Sequence, residues 1–320
     1  MNAARSSWLV HLAILAVALV FPLVFQSAFM VNFGVLALFY AFIGQSWNIA
    51  GGFAGQLSFG HVAFFGVGAY ASTIVQMRLG WNPWLGLPVS ALAGALAGWL
   101  IAVLSFRAGL KGSYFALITL AFAEVFRIIT NSVEFTGGGL GMLIPMKQTA
   151  QNFQFGDRRV FYFIILALTA ASIALALWLK SSRFGAQLAA IRENEDSARA
   201  LGINTFAEKI KIMMISGAIA GVGGCFFAQY FLYIDPTIAF GVDKSVEMLL
   251  VSMIGGAGTV YGPLIGAVLL AAVSELTRAW FTLQGLSLVL YGGLLVVIIA
   301  FLPNGLIDLF KKRSFNSRRP

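Results

Sequence analysis

Apolar residues along this chain form long runs, which short polar or glycine-rich segments separate. About 20 apolar residues are needed for a helix to cross a bilayer core of about 30 Å. The runs that begin at Val62 and Val242 are shorter, which is typical of a broken or re-entrant helix. The pattern predicts an all-α polytopic membrane protein with about ten transmembrane helices, within a range of eight to ten. The predicted spans are Trp8–Phe25, Phe33–Ala50, Val62–Met77, Leu85–Phe106, Ser113–Asn131, Val160–Leu179, Ile212–Tyr233, Val242–Ala257, Gly262–Trp280 and Gly285–Leu302.

The composition supports a membrane protein and argues against other classes. Of 320 residues, 59% are hydrophobic and only 10% are charged, whereas soluble domains usually carry about 25% charged residues. The net charge of +9 comes from basic residues in loops, so membrane topology explains it better than nucleic-acid binding. His11 and His61 lack neighbouring metal ligands, and Cys225 is the single cysteine. No nucleophile with its base and no cofactor motif occurs, so we expect neither an enzyme nor a cofactor.

The basic residues also predict the orientation. Arg5, the turn with Arg107 and Lys111, the loop 180–211 and the tail from Lys311 all fall on one side of a ten-span chain. That side is cytoplasmic by the positive-inside rule, so both termini are predicted in the cytoplasm of a bacterial inner membrane. The whole chain, 1–320, reads as a single transmembrane domain. Its largest external segment is Ser132–Arg159, which is either a plain connector or the place where an external partner acts.

The polar segment 181–211 stands apart from the apolar remainder. Ser181 or Ser182 can cap a helix that starts near Phe184, and Gly202 can end it. Asn204 or Thr205 can cap the next helix. We interpret the segment as a docking surface for a soluble partner, with a helix on lipid headgroups as the alternative. The apolar stripe predicted on this helix consists of Leu188, Ile191, Ala198 and Leu201.

Two glycine clusters join apolar runs, Gly51–His61 and Gly255–Ala267. Glycine allows backbones to approach closely or to unwind, and unwound backbone in a membrane must face protein or a water-filled path. Packing of small residues between helices is the alternative. The second cluster lacks the Gly-Lys-Ser/Thr ending of a phosphate loop. The polar side chains within the clusters are Gln56, Ser58, His61 and Thr259.

One acidic residue lies inside a predicted span with a basic partner. Glu124 and Arg127 are three residues apart and therefore share a helix face. Charged residues inside a membrane favour the interior of a helix bundle, so the pair is either structural or part of a translocation path. Glu247 and Glu275 raise the same question but have no adjacent partner in the sequence.

Five segments, in order, resemble the permease subunits of branched-chain amino acid ABC importers, specifically the LivM-like subunit. They are WNIAGGFAGQLSFGHVAFFGVGAY (Trp47–Tyr70), GSYFALITLAFAEVFR (Gly112–Arg127), TGGGLG (Thr136–Gly141), AIRENEDSARALGIN (Ala190–Asn204) and SMIGGAGTVYGPLIGA (Ser252–Ala267).

The resemblance implies a fold of the importer-permease type and several partners. These are a second homologous permease, two cytoplasmic ATPase subunits, an extracytoplasmic binding protein and membrane lipid. It also implies transport of branched-chain or other hydrophobic amino acids. A related importer of urea or amides, and an ion-coupled secondary transporter, remain alternatives, and a membrane-embedded enzyme is the weakest one.

The resemblance also assigns roles to residues of this chain. The ATPase-coupling residues are Arg192, Glu193, Asn194, Ser197, Ala198, Leu201 and Gly202. The residues expected near the translocation path are Gln56, Ser58, His61, Glu124, Arg127, Gly255, Gly256, Gly258 and Thr259.

Overall fold

The structure is a computed structural model that describes the backbone of residues 2–280, 289–290, 292–293 and 305–308. Side chains are described from residue 13 to residue 277 and in the short later pieces. Most of the predicted span Gly285–Leu302, the basic tail and the side chain of Arg5 lie outside the described residues.

Twelve α-helices are present in the described part of the chain. They are α1 (Asn2–Val24), α2 (Ala28–Trp47), α3 (Val62–Leu79), α4 (Gly86–Arg107), α5 (Gly112–Ser132), α6 (Arg158–Ser181), α7 (Arg183–Glu193), α8 (Glu195–Ala200), α9 (Thr205–Phe231), α10 (Pro236–Phe240), α11 (Val242–Gly255) and α12 (Gly262–Trp280). A π-helical segment, Asn48–Phe53, continues α2, and four 3₁₀ turns are Pro83–Leu85, Glu134–Thr136, Gly138–Leu140 and Ala150–Asn152.

Six of these helices are long and apolar enough to cross a membrane. They are α2 with its π-helical continuation, α3, α4 with the turn before it, α5, α6 and α9. Shorter apolar stretches occur at Ala13–Val24 and Gly262–Thr277. The chain is therefore a multi-pass helical membrane protein, but the predicted count of about ten spans is not confirmed. Of the two runs expected to be short, the one at Val62 forms an 18-residue helix that is long enough to span, and only the one at Val242 forms a shorter helix, of 14 residues.

One departure from an all-α fold is a minimal antiparallel sheet. Strand β1 (Met142–Leu143) pairs with β2 (Tyr233–Ile234), with Met142 opposite Ile234. Strand β2 directly follows α9, so the pairing ties the segment 133–157 to the end of that helix. Since α6 crosses the bundle, this segment lies at the end opposite α7 and α8. We call the two ends the loop end, which carries α7 and α8, and the opposite end.

Small residues allow α9 to pack closely against α4 and α3. A Cβ atom on Gly94 would overlap the carbonyl of Gly217, and one on Gly68 would overlap the backbone of Gly221. Such contacts between small residues are the usual means by which membrane helices associate, because lipid supplies no hydrophobic drive between helices. Helix α9 thus forms the centre of the bundle.

The chain leaves regular helix between the π-helical segment and α3. After the π-helical segment, residues 54–61 run without regular helix before α3 begins. Gly60 lies so close to α5 that a Cβ atom there would overlap the carbonyl of Thr119. Helix α3 begins against α11, where the backbone N–H of Val62 donates to Ser245 Oγ at 2.9 Å. This broken segment is therefore held between other helices, as the first glycine cluster led us to expect.

Candidate functional site

The polar segment 181–211 folds into two short helices rather than the single predicted one. Ser182 caps α7, because its Oγ accepts from the backbone N–H of Gly185 at 3.0 Å. Asn194 has an extended backbone (φ −158°, ψ 109°), which ends α7. Its Oδ1 then accepts from the N–H of Ser197 at 2.9 Å and caps α8. An asparagine side chain competes with helical hydrogen bonding in this way, and this explains the break.

Gly202 ends the polar helices as predicted, with a left-handed φ of +86°. The predicted apolar stripe is only partly present. Leu188, Ile191 and Ala198 are buried, but Leu201 is 81% exposed. Leu201 lies beyond the last residue of α8, where the chain has left the helical register, so it points away from the bundle instead of into it.

An ion-pair network fixes α8 to the bundle. The carboxylate of Glu195 accepts from Lys209 Nζ at 2.8 Å and from Arg199 Nη2 at 3.2 Å. Lys111, in the turn between α4 and α5, lies 3.7 Å from the same carboxylate. Thr205 Oγ1 also donates to Glu195 at 3.4 Å. We call these five residues the Glu195 cluster, which joins three separate parts of the loop end.

The centre of the Glu195 cluster is largely shielded from water. The side chain of Lys209 is only 5% exposed and that of Glu195 14%. Lys209 Nζ also lies 4.2 Å from the centre of the Phe106 ring on α4, a cation–π contact. Burial alone would raise the pKa of Glu195, but the ion pair with Lys209, helped by Lys111 and Arg199, lowers that pKa below its ordinary value.

The two glycine clusters and the polar loop meet at one place, which we call the glycine junction. Asn48, the first residue of the π-helical segment, connects the clusters: its Oδ1 accepts from the N–H of Gly258 at 2.7 Å, and its Nδ2 donates to the carbonyl of Thr259 at 2.9 Å. Arg192 of α7 donates through Nη1 to the carbonyl of Gly52 at 3.0 Å. Helix α7 is thus bonded directly to the broken end of α2.

Glycine is required at this junction for two reasons. A Cβ atom on Gly52 would overlap Asn48 Oδ1 and the backbone nitrogen of Gly258. Gly258 and Gly256 have φ values of +74° and +122°, which side chains rarely allow. Gly255 adds a third close approach, since its Cβ atom would overlap the carbonyl of Gly262.

Thr259 holds the turn between α11 and α12. Its hydroxyl donates to the carbonyl of Gly256 at 2.6 Å and accepts from the N–H of Gly262 at 3.0 Å. This second glycine cluster is therefore a capped turn, with its backbone polar groups satisfied by the threonine and by Asn48.

The polar side chains of the first cluster are separated from one another. His61 is fully buried, and its Nε2 lies 2.6 Å from Ser216 Oγ on α9. Ser58 is also buried, and its carbonyl accepts from Trp47 Nε1 at 2.8 Å. The side-chain Nε2 of Gln56 donates to the nearby carbonyl of Ala54 at 2.9 Å. Between residues 13 and 277, Ser58 Oγ and His61 Nδ1 have no hydrogen-bond partner.

The predicted pair on α5 forms, but on an exposed face. Arg127 donates from Nε to Glu124 at 2.8 Å and from Nη2 at 2.5 Å. The two side chains are 34% and 45% exposed, so they do not point into the bundle of this subunit. The expectation that Glu247 lacks a partner is wrong: Lys244, one turn earlier, lies 2.7 Å from it in a largely buried pair.

Sequence reasoning missed several residues that build the site. Asn48 lies three residues before the first glycine cluster, and a polar side chain at the end of an apolar run is a signal which could have been used. Lys111 and Lys209 join Glu195 only through the tertiary fold, so no local pattern identifies them. In the described residues, no group of histidine, cysteine or acidic side chains is arranged to hold a metal ion.

The structure contains membrane-length helices, a broken helix held inside the bundle and a polar loop bonded to that break. These features define a helical multi-pass membrane protein in which one helix is interrupted inside the bundle. The chain belongs to the family described as branched-chain amino acid transport system / permease component, whose model matches residues 29–299. It is thus a transport subunit by family.

Curated relatives agree with this family. The chain is 30% identical to the high-affinity branched-chain amino acid transport system permease protein LivM of Escherichia coli, over 94% of this chain and 75% of the relative. It is 25% identical to the LivH permease of Salmonella typhimurium, over 87% and 94% of the two chains. It is 26% identical to a probable LivM of Methanocaldococcus jannaschii, over 84% and 90%. No solved structure was found to match the chain.

Proposed function

We propose that this chain is one of two permease subunits of an ATP-driven importer. Branched-chain or other hydrophobic amino acids are delivered by an extracytoplasmic binding protein and cross between the two permeases. Two separate ATPase subunits dock at the loop end, which is cytoplasmic together with both termini, in a bacterial inner membrane. The names of the relatives above favour amino acids over urea or amides as the solute.

Exposed residues at the loop end support ATPase docking. Leu201 is 81% exposed, and the side chains of Glu193 and Asp196 are 75% and 78% exposed. These side chains leave one apolar group and two carboxylates free to contact a soluble partner. Because the Glu195 cluster anchors α8 beneath this surface, a push from an ATPase subunit reaches the bundle instead of being absorbed by a loose loop.

One observation carries the proposal: Arg192 of the docking segment bonds to the carbonyl of Gly52 in the broken end of α2. A displacement of α7 therefore acts directly on the glycine junction. The junction holds both Asn48 and Gly258, so the broken segment 54–61 and the turn before α12 move together. In this mechanism Gln56, Ser58 and His61 lie along the path that opens, with Gly255, Gly256 and Thr259 at its base.

The exposed face of α5 supports a second permease. Glu124 and Arg127 lie in the middle of a membrane-length helix and are partly exposed in the isolated subunit. Charged side chains are avoided at a lipid-facing surface and instead mark protein contacts or hydrated paths. Leu57 and Phe59 of the broken segment are also exposed, 46% and 42%. A second permease covering α5 would shield these residues and enclose the path.

The first test is reconstitution with matched arginine variants. The chain is purified from its native membrane, its partners are identified, and the complex is placed in proteoliposomes with the binding protein. Arg192→Ala should leave ATP hydrolysis intact and abolish most uptake, because the link to Gly52 is lost. Arg183→Ala is the control, since Arg183 is exposed on the same helix and has no ion pair among the described side chains.

Two results would contradict the proposal. Uptake by Arg192→Ala at the wild-type rate would remove the coupling role of the α7 contact. Uptake that continues without ATP but collapses with the ion gradient, from a chain that purifies without ATPase subunits, would favour the ion-coupled transporter instead.

A further inference from the structure

The opposite end of the bundle contains a cavity that the mechanism above does not use. It has a volume of about 420 Å³, within the range of small-molecule sites. It lies between the start of α2, the last residues of α9, the start of α6 and the segment before α6. Its polar lining consists of Asn32, Gln148, Gln154, Arg158, Gln229 and Tyr230.

Gln229 gives this cavity a buried acceptor without a partner. The side chain is 1% exposed, and its Nε2 donates to Gln76 Oε1 at 2.5 Å. Its Oε1 has no hydrogen-bond partner anywhere in the described structure. Buried polar atoms are nearly always satisfied, so an unmatched acceptor in a cavity wall calls for a donor from outside the protein.

Donors lie on another part of the lining. Tyr230 OH donates to Asn32 Oδ1 at 2.6 Å. This bond orients the Asn32 amide and leaves its N–H groups available. Arg158 begins α6 at the exposed edge of the cavity, and it takes part in no ion pair among residues 13–277. The cavity therefore presents an unpaired cation and free amide donors, together with one unpaired acceptor.

The remaining lining is apolar and fixed in place. It includes Phe155, Phe161, Phe231 and Leu232. Leu232 has a φ of +56°, which is unusual for a leucine and is imposed by the turn that leads into β2. The facing segment is bonded to the same turn, since the N–H of Ile144 donates to the Leu232 carbonyl at 2.9 Å.

Gln154 stabilises the facing segment from inside. This buried side chain accepts from the N–H of Lys147 at 2.6 Å and donates to the carbonyl of Pro145 at 2.9 Å. Both ends of its amide are thus used within the loop, in contrast to Gln229. The cavity is preformed, so a ligand is not required to order its walls.

We propose that this cavity binds a small zwitterion with an apolar side chain, an α-amino acid. Its carboxylate pairs with Arg158 and the Asn32 amide, its ammonium donates to Gln229 Oε1, and its side chain packs on Phe161 and its neighbours. A simple anion would leave the Gln229 acceptor unmatched. This inference rests on the proposed function, in which the cavity is the first site that the solute occupies as it leaves the binding protein.

The cavity offers the ligand only one full charge, the Arg158 guanidinium, because the ammonium of the ligand contacts the neutral amide of Gln229. Such a site binds weakly and releases its ligand readily, which suits a step between a binding protein and a path. Arg158 is the residue to change, since it is exposed and its loss leaves no buried partner unpaired. Arg159, next to it, does not line the cavity and is the matched control.

The test measures equilibrium binding of radiolabelled L-leucine to the full complex in nanodiscs without the binding protein. Arg158→Gln should raise the apparent Kd about tenfold or more, the scale of one lost charge-assisted contact. Arg159→Gln should leave the Kd unchanged within about twofold. L-leucinamide, which lacks the carboxylate, and 4-methylpentanoate, which lacks the ammonium, should both compete much less well than leucine.

Outcomes for the site and for the importer are distinguishable. Equal Kd values for Arg158→Gln and Arg159→Gln, or leucinamide competing as well as leucine, would overturn the cavity site even if ATP-driven uptake is intact. Carboxylate-dependent binding lost in Arg158→Gln supports the site. If the same preparation then shows no ATP-dependent uptake, the importer proposal fails while the site stands.

Discussion

Three single substitutions in and near the Glu195 cluster are expected to destabilise α8 by different amounts. Glu195→Gln removes the carboxylate but leaves the Lys209 ammonium buried, with only an amide oxygen and the Phe106 ring beside it. Breaking a buried ion pair from one side costs about 3–5 kcal/mol. Because the cation–π contact at 4.2 Å remains, we expect about 3 kcal/mol, the lower end of that range.

The reverse change is milder. Lys209→Met keeps the apolar stem and removes the ammonium, while Arg199 and Lys111 remain near the Glu195 carboxylate, at 3.2 and 3.7 Å. The loss is then one charge-assisted hydrogen bond, about 1.5 kcal/mol, and the cation–π contact with Phe106, about 0.5 kcal/mol. Asp196→Asn is the matched control: Asp196 follows Glu195 on α8 and lies 3.2 Å from Lys111, but its side chain is 78% exposed. Exposed pairs contribute at most about 1 kcal/mol.

Amide hydrogen exchange of residues 195–204 in nanodiscs reports the local opening of α8. A loss of about 3 kcal/mol should speed exchange there about 100-fold in Glu195→Gln. Asp196→Asn should change it by less than about fivefold. Helix α6 serves as an internal reference and should exchange as in the wild type. If Glu195→Gln and Asp196→Asn exchange alike in 195–204, the Glu195 cluster does not anchor α8.

Four further predictions follow from the same contacts. Gly202→Val should uncouple ATP hydrolysis from uptake, because a left-handed φ of +86° costs a β-branched residue about 1–2 kcal/mol, whereas Gly202→Asn should retain coupling; wild-type coupling in the valine variant would end the assignment. Gly52→Ala should lower the thermal stability and uptake of the complex by separating the glycine junction, at a cost of about 1–3 kcal/mol, while Gly156→Ala, whose Cβ atom meets nothing closer than 3.7 Å, should not. Glu124→Gln should reduce the yield of assembled complex or its uptake. Normal uptake at normal expression would show that Glu124 has only a packing role. Because the pKa of Glu195 is lowered in the folded state, its contribution to stability is complete above the ordinary pKa of 4.5 and is lost as pH falls through the lowered pKa. Thermal stability should therefore be flat from neutral pH down to pH 4.5. The decline in thermal stability at lower pH should be smaller in Glu195→Gln.

Local sequence signals were sufficient where a residue acts on its own neighbours. Ser182 caps α7, Gly202 ends the polar helices and Asn204 caps α9, as their residue types predict. The same is true of the Glu124–Arg127 pair, because a spacing of three residues fixes the shared face. The short helix after Val242 was also foreseen from the length of its apolar run.

Contacts between distant segments could not be read from the sequence. Arg192 and Gly52 are 140 positions apart, and neither residue type implies the other. The exposure of Leu201 was mispredicted because a helical periodicity was extended across Asn194, where the asparagine side chain instead starts a new helix. The partly exposed position of Glu124 and Arg127 could not be predicted either, because the sequence does not show which face of α5 packs against the other helices of this subunit.

The two attachments of the polar loop differ in kind. Helix α8 is fixed to α9 by a largely buried ion pair whose carboxylate also accepts from Arg199 and Thr205. Helix α7 buries Leu188 and Ile191 against the bundle, and its Arg192 donates to a π-helical segment, a geometry that recurs at functional sites. In the proposed mechanism, a load applied at Leu201 reaches the bundle through α8 and reaches the glycine junction through Arg192. Because Asn48 bonds the π-helical segment to Gly258 and Thr259, the same mechanism requires the segment 54–61 and the turn before α12 to move together.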